Sequence, residues 1–600
     1  MLIVEIYLNE LDLARDLIPT KLSRQRVNLN EFWTFRIDPE KIGEEEKWYN
    51  GFPNGESIIV PSVWNVHDPS IFYYYGIAWY STTFFCPAEW DGQRVTLIFN
   101  GINQKAKIWI NGQLVGTHEF GYTQFFVDIS YVLKISKTNL LVIQVDVRPR
   151  EDDLPPFPRT DWFTYGGIFR KVYLQITPVC RIIDYKVTNK ISYSPLEATV
   201  FFSIKITDTQ TLLKHVREIM VELFHESGSW KEKVPVEMGE ETTTCNVQLT
   251  IPQPLLWSPD HPVLYEGVIT LLKDNFQVDR VTFQWGIREI RVEGKRLLLN
   301  NNPIYLCGIN WIEDHPYFGA TIPTRLVYYD LLMMKRAGIN CIRPGHCPTD
   351  ENLIKLADRL GFLVIEEMPA WGLTESQMGD PRMLHKAKQY LNEMIHRDKN
   401  HACIFAWSVA SDCATDTQVG RNFISELVGY ARKLDDRLVT FCSSKGANDI
   451  CFDLVDFAGL MVYYGWYSGT IGDFIIESEK VAEKLHENGD RPIIVLGFGG
   501  EAIYGYRGPE YPRWSENYQS YLLEQYILHM SSLDHFVGGL IWCFQDYRIN
   551  PFNAESQLWR ERPREYCNKG IVDEYRRPKM AFEVVRKLFL QWHKKCNFKD

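Results

Sequence analysis

The second half of this 600-residue chain places chemically capable residues at regular points. Short apolar runs end, one after another, in side chains that ionise, hydrogen-bond or stack. The run 304–309 is followed by Asn310, then Glu313, Asp314 and His315, and the run 340–342 by Arg343 and His346. Glu366 and Glu367 stand at the end of 362–366, and Ser411 and Asp412 follow 404–409. The run 457–463 closes on Tyr463, before Tyr464 and Trp466. The run 493–496 leads into Gly497, Phe498, Gly499, Gly500 and Glu501, and 538–542 closes on Trp542 with Asp546 beyond. Acids, flat rings, an arginine and histidines around one opening are what a pyranoside site needs. They supply hydroxyl acceptors, stacking faces and charge that stabilises an oxocarbenium-like transition state.

Each residue also has a plainer reading. Glu366 and Glu367 read first as anchors beside a site rather than as catalysts. Trp542 suits a core or a stacking platform equally, and a lone histidine such as His346 is more often structural. Cys347, Cys413 and Cys567 fall near the same ends. A soft-metal or thiol role for them stands against small-residue filling of a pocket, and filling is the preferred reading. No CxxC pair occurs, so neither a metal site nor a cofactor is expected.

The elements that must position these residues follow from the rhythm of the chain. Eight strand-like runs alternate with amphipathic stretches at 325–337, 351–360, 383–400, 421–433 and 518–530. That alternation predicts a C-terminal (β/α)8 TIM barrel over 289–600, whose strand ends share one mouth. Upstream, short strands broken by Asn100-Gly101 and Asn111-Gly112 predict an N-terminal jelly-roll β-sandwich over 1–178. Strands at 198–206, 219–224, 244–250 and 266–272, with a rigid loop at Pro252, Pro254, Pro259 and Pro262, predict an immunoglobulin-like β-sandwich over 179–288. The chain is therefore read as multidomain.

Composition narrows the function. A net charge of −11 without a basic tract argues against nucleic acid. Eighteen Trp and 31 Tyr suit carbohydrate contacts, although large cores use them too. No apolar run is long enough to predict a membrane span. Residues 1–17 lack a basic region and carry acids early, so no signal peptide is expected. The thirteen scattered cysteines then read as reduced thiols of a cytoplasmic protein.

Longer stretches resemble a known family. NCIRPGHCPTDENLIKLADRLGF at 340–362, RDKNHACIFAWSVASD at 397–412 and PIIVLGFGGE at 492–501 are similar, in order, to motifs of family 2 glycoside hydrolases. YYGWY at 463–467, IWCFQDY at 541–547 and NKGIVDEYRRPK at 568–579 resemble the β-glucuronidase branch most. The runs at 100–125 and 161–174 resemble the family's sugar-binding-like sandwich, and WSPDHPVLY at 257–265 its immunoglobulin-like domain. The resemblance implies a retaining enzyme acting on a β-glycoside or uronide. One Glu after an Asn at the fourth strand end would be the acid/base, and a second Glu ending the seventh strand the nucleophile, about 5–5.5 Å apart. It implies substrate contacts at Asn310, Arg343, His346, Tyr463, Tyr464, Trp466, Trp542, Lys569 and Asp161. Family members are often oligomers, so a homo-oligomer of unspecified size fits.

This sequence departs from that pattern at both catalytic positions. The acid/base position is Asp412, after Ser411, and the nucleophile position is Gly497. Ile312, Cys347, Met461 and Cys567 replace a usual His, Tyr, Asn and Asn. Asp412 keeps a carboxyl with a shorter reach, and a misplacement of about 1 Å costs roughly 100-fold. Gly497 can form no covalent intermediate. The expectation is a relative that binds a sugar or a protein without the standard hydrolysis. Two active alternatives stay open: Glu501 replaces the nucleophile through a glycine-rich loop folding inward, or water over Gly497 attacks with Asp412 as acid. Glu501 itself reads first as a surface or supporting loop residue. A structural or oligomeric role is a further alternative.

Overall fold

The computed structural model describes residues 24–156, 159–207, 216–237, 242–487, 489–551 and 562–596; the N-terminal segment read above lies outside them. Among the described residues no helix is long and apolar enough to cross a membrane.

Residues 25–177 form a sandwich of a six-stranded and a four-stranded sheet. Its strands alternate inward apolar and outward polar residues, as in 105–108 of the strand Lys105–Ile110. The hairpin from Lys105–Ile110 to Gln113–His118 turns on Asn111 and Gly112, whose φ angles of 51° and 83° are those a tight primed turn demands. Trp33, Phe35, Trp64 and Tyr80 fill the space between the sheets. A second sandwich follows over 181–285, with a three-stranded and a four-stranded sheet. In its strand Thr242–Pro252, Cys245, Val247, Leu249 and Ile251 point inward and their neighbours outward.

The third unit is a closed barrel of eight parallel strands: β1 (Leu306–Trp311), β2 (Cys341–Pro344), β3 (Leu363–Glu367), β4 (Ile404–Ser411), β5 (Leu438–Ser443), β6 (Ala458–Met461), β7 (Ile493–Phe498) and β8 (Phe536–Ile541). β8 returns to β1 in parallel register, Leu306 beside Gly538. The strands are buried almost throughout, as strands covered on both faces must be. Around them stand α1 (Thr324–Arg336), α2 (Glu351–Leu360), α3 (Pro381–Asp398), α4 (Gln418–Leu434), α5 (Ile471–Glu487), α6 (Glu516–Met530) and α7 (Met580–Cys596).

All eight expected strands are present, with shifted ends. The sixth stops at Met461, because the backbone N–H groups of Trp466 and Tyr467 turn back to Tyr463 O at 3.0 Å each. Between β5 and β6 the described chain makes short 3-10 turns instead of an α-helix. Helices α5 and α7 lie outside the five amphipathic stretches expected from the sequence. In α5 the inward stripe Phe474, Ser478, Val481 and Leu485 carries a buried serine, which weakens the apolar signal.

The segment 161–170 of the first sandwich reaches over the barrel. Tyr165 donates to Asp314 Oδ1 at 2.5 Å, and Arg170 pairs with Glu313 at 2.7 Å. Phe163 N–H donates to Arg548 O at 2.9 Å.

Candidate active site

Arg343, on β2, is wholly buried, and a charge there persists only when paired. Glu367, the last residue of β3, takes its Nε at 3.0 Å and its Nη2 at 2.6 Å. Arg343 Nη1 donates to Asn310 Oδ1 at 2.9 Å, and Nη2 to Ser411 Oγ at 3.1 Å. Ser408 donates to Glu367 at 2.6 Å, and His346 Nδ1 lies 2.7 Å from the other carboxylate oxygen. Burial pushes Glu367 up, but Arg343 and His346 outweigh it and hold the carboxyl below its ordinary range. Burial lowers His346.

Asn310 Nδ2 donates to Leu496 O at 2.9 Å and Ile541 O at 3.1 Å. It thus binds β1 to β7 and β8 beneath the mouth, its oxygen held by Arg343. His346 stacks on Trp542 at 4.8 Å and lies 5.2 Å from Trp162 and 5.8 Å from Trp371. Three indoles therefore fix one imidazole.

A hydrogen-bonded chain runs around the rim. Trp542 Nε1 donates to Tyr547 Oη at 3.1 Å, and Tyr547 donates to Asp161 Oδ2 at 2.9 Å. Arg562 donates to Asp161 Oδ1 at 2.9 Å, to Glu501 Oε1 at 2.9 Å and to Tyr467 Oη at 2.7 Å. Lys569 also donates to Tyr467 Oη and lies 5.0 Å from the Tyr463 ring centroid. Asn568 N–H donates to Glu501 Oε2 at 2.9 Å. Glu501 is 1% exposed, so it stands inside the site wall rather than at the surface. Burial raises it, yet Arg562 and Lys569 prevail and hold it ionised below the ordinary range.

The two departures stand at the strand ends. Asp412 directly follows β4 at φ 55°, a left-handed conformation that Asp tolerates better than most residues. Ser444, after β5, donates to Asp412 Oδ1. Burial raises the Asp412 carboxyl despite that bond. Gly497 lies within β7 and its φ is not left-handed. A Cβ there would meet Tyr463 Oη at 3.2 Å, Met461 Cγ at 3.5 Å and Trp542 Cε3 at 3.9 Å. The position therefore faces Tyr463 and Trp542, with backbone and room for a side chain but no functional group.

Tyr464 and Trp466 stand apart from this ring. A Cβ on Gly469 would lie 3.3 Å from Tyr464 Cδ1, and Tyr464 feels Glu477 and Asp473 of α5. Trp466 is buried against Trp514 at 5.1 Å under Arg513. Cys347, Cys413 and Cys567 are buried, and burial raises all three thiols, Cys413 to about 12. Thiolates are therefore disfavoured, and among the described residues no group of three His, Cys, Asp or Glu could hold a metal. Cys347 borders a cavity of about 30 Å³, room for one water.

Tyr467, Arg562, Tyr547 and Ser444 were not anticipated as site residues. Tyr467 stands inside the YYGWY run and was within reach of the sequence. Arg562 and Ser444 carry no local signal, since folding alone brings them to Glu501 and Asp412.

The sequence profile described as "Glycosyl hydrolases family 2, TIM barrel domain" matches residues 290–594, the one described as the family's sugar binding domain 27–178, and the one described as "Glycosyl hydrolases family 2" 180–288. The chain belongs to glycosyl hydrolase family 2. Among its relatives, a β-glucuronidase of Paenibacillus borealis is 28% identical over 94% of this chain and 97% of its own length. A β-galactosidase of Thermoanaerobacter pseudethanolicus is 29% identical over 94% of this chain and 72% of its own. A crystal structure of a β-galacturonidase from Eisenbergiella tayi bound to galacturonate matches with TM-score 0.82 at 29% identity, covering 95% and 97% of the two chains. A β-glucuronidase from Ruminococcus gnavus in complex with a uronic isofagomine matches with TM-score 0.86 at 29% identity, covering 95% and 98%.

Proposed function

We propose that this family 2 protein binds a carbohydrate, a β-glycoside or uronide, at the barrel mouth without the standard retaining hydrolysis. Gly497 carries the proposal. Retention needs two carboxyls across the anomeric carbon, and the position on β7 that faces Tyr463 and Trp542 has no side chain. The loss of a covalent step corresponds to about three to six decades in rate, or about 4–8 kcal/mol of barrier. Lys569 and Arg562, which flank Tyr467 Oη, are cationic donors suited to a sugar carboxylate. The relatives named as glucuronidase and galacturonidase agree with a uronide.

The test is titration of purified protein with glucuronate and galacturonate by calorimetry, alongside turnover of aryl β-glucuronides and β-galactosides. Saturable binding, weakened by Lys569→Ala, with no turnover is the expected outcome. Turnover that Asp412→Asn removes would overturn it. Glu501 is not the replacement nucleophile in this proposal, because Arg562 and Asn568 hold both its oxygens. Glu501→Gln should leave any trace turnover unchanged.

Twelve of the thirteen cysteines, all but Cys596, are free thiols, which supports a cytoplasmic site of action. A homo-oligomer is the proposed assembly, and light scattering that reports a monomer rejects it.

A further inference from the structure

A second cavity, of about 510 Å³, lies in the seam between the first sandwich and the barrel. Its size is that of small-molecule sites, which favour domain interfaces. Val63 and Phe169 of the sandwich and Ile322, Val327 and Leu353 of the barrel give it apolar walls.

The charged groups on those walls are two cations, Arg170 and Lys171, and two carboxylates, Glu313 and Asp350. The two wall carboxylates are already engaged. Glu313 takes Thr349 Oγ1 and Asp350 N–H through Oε1 and Arg170 through Oε2. Asp350 caps α2 by accepting from Asn352 N–H at 2.9 Å. Lys171 lines the cavity and has no ion pair within 4 Å among the described residues, while its charge helps lower the Glu351 carboxyl at the start of α2. Arg170 also lines it and is 3% exposed. Its terminal nitrogens donate to Tyr122 O, Glu313 and Pro348 O, while its Nε has no hydrogen-bond partner. Finally, Pro323 and Thr324 bring the start of the thirteen-residue α1 to the same wall. That helix has neither a side-chain cap nor an acid in its first turn. Its first N–H groups and its dipole therefore favour a negative charge there.

We propose that this seam is a binding site for a small organic anion with an apolar, aromatic-sized body, separate from the barrel mouth. The body would fill the apolar part of the seam, and the anionic group would lie against Lys171, Arg170 and the start of α1. The proposal does not depend on whether the barrel mouth hydrolyses or only binds sugar.

The probe is 8-anilinonaphthalene-1-sulfonate, compared with the uncharged N-phenyl-1-naphthylamine, on the full chain. Fluorescence titration should show one saturable sulfonate site, unaffected by glucuronate. Lys171→Glu should weaken it about tenfold or more, since a like charge then faces the sulfonate. Ile322→Trp, which fills the seam from its half-buried wall, should abolish it. The uncharged analogue should bind at least about tenfold more weakly. Three results overturn the proposal: no saturable site, sulfonate binding unchanged by Lys171→Glu, or equal affinity for the uncharged analogue. The last two stand even if Ile322→Trp fails to fold.

Discussion

Asp161 of the first sandwich and Arg562 of the barrel pair at 2.9 Å at the mouth, with side chains 14% and 3% exposed. The pair makes the site a product of two domains. It also sits in series with Tyr547 on one side and Glu501 on the other. Asp161→Ala leaves the Tyr547 hydroxyl and one arm of Arg562 without their acceptor. It should cost about 2–3 kcal/mol and weaken sugar binding. Asp161→Asn, which keeps one acceptor, should cost about half as much. Urea unfolding and calorimetry on the same preparations check both.

The Gly497 backbone should accept a side chain. Its φ is not left-handed, and the tightest neighbour of a Cβ is the Tyr463 hydroxyl at 3.2 Å, which needs to yield only slightly. Gly497→Glu should therefore fold, with a loss of about 1–3 kcal/mol from crowding. Combined with Asp412→Glu, it should gain turnover of an aryl β-glycoside over the parent protein. Continued silence would show that Met461 and Cys567 have changed the site as well.

The Asp412 carboxyl gives a signed pH effect. Burial raises it, so the folded protein holds this proton to higher pH than the unfolded chain does. The stability this contributes is present below the unfolded value and is lost as pH rises through the folded one. Asp412→Asn has no proton to lose. The unfolding midpoint of the variant relative to the parent should therefore improve as pH is raised from about 4. A difference independent of pH would place Asp412 in water.

Glu366 differs from its neighbour Glu367. Its Oε1 accepts from Arg397 at 2.9 Å, while its Oε2 and Asp398 Oδ1 find no donor among their neighbours. Burial and Asp398 push its carboxyl well above the ordinary range, which favours the protonated form, a donor toward Asp398. Glu366→Gln should stay within about 1 kcal/mol of the parent, because an amide can serve as that donor. Glu366→Ala should lose about 2–4 kcal/mol and leave sugar binding unchanged. Thermal unfolding and calorimetry separate the two effects.

Much of the architecture was legible before folding. The alternation of apolar runs and amphipathic stretches named all eight barrel strands, because a strand covered on both faces must be apolar along its length. The rule that barrel chemistry sits at the strand ends then brought Arg343, His346, Asp412, Gly497 and Trp542 to one mouth. The serine within the inward stripe of α5 hid that helix, and the turn at Tyr463 shortened β6.

The order of amino acids sets which groups are available: Asp412 in place of a longer acid, and Gly497 in place of any. It also determined the family, through motifs spread over three domains. What those groups touch depends on the folded chain. Glu501 looked like a loop acid and is an ionised partner of Arg562 and Asn568. Asn310 is held inside the barrel by Arg343 and two backbone carbonyls. Asp161 reaches the mouth from another domain, 401 positions before its partner Arg562. Hydrogen bonds and burial depend on distance in space, and a local pattern specifies such distances only within its own strand or helix.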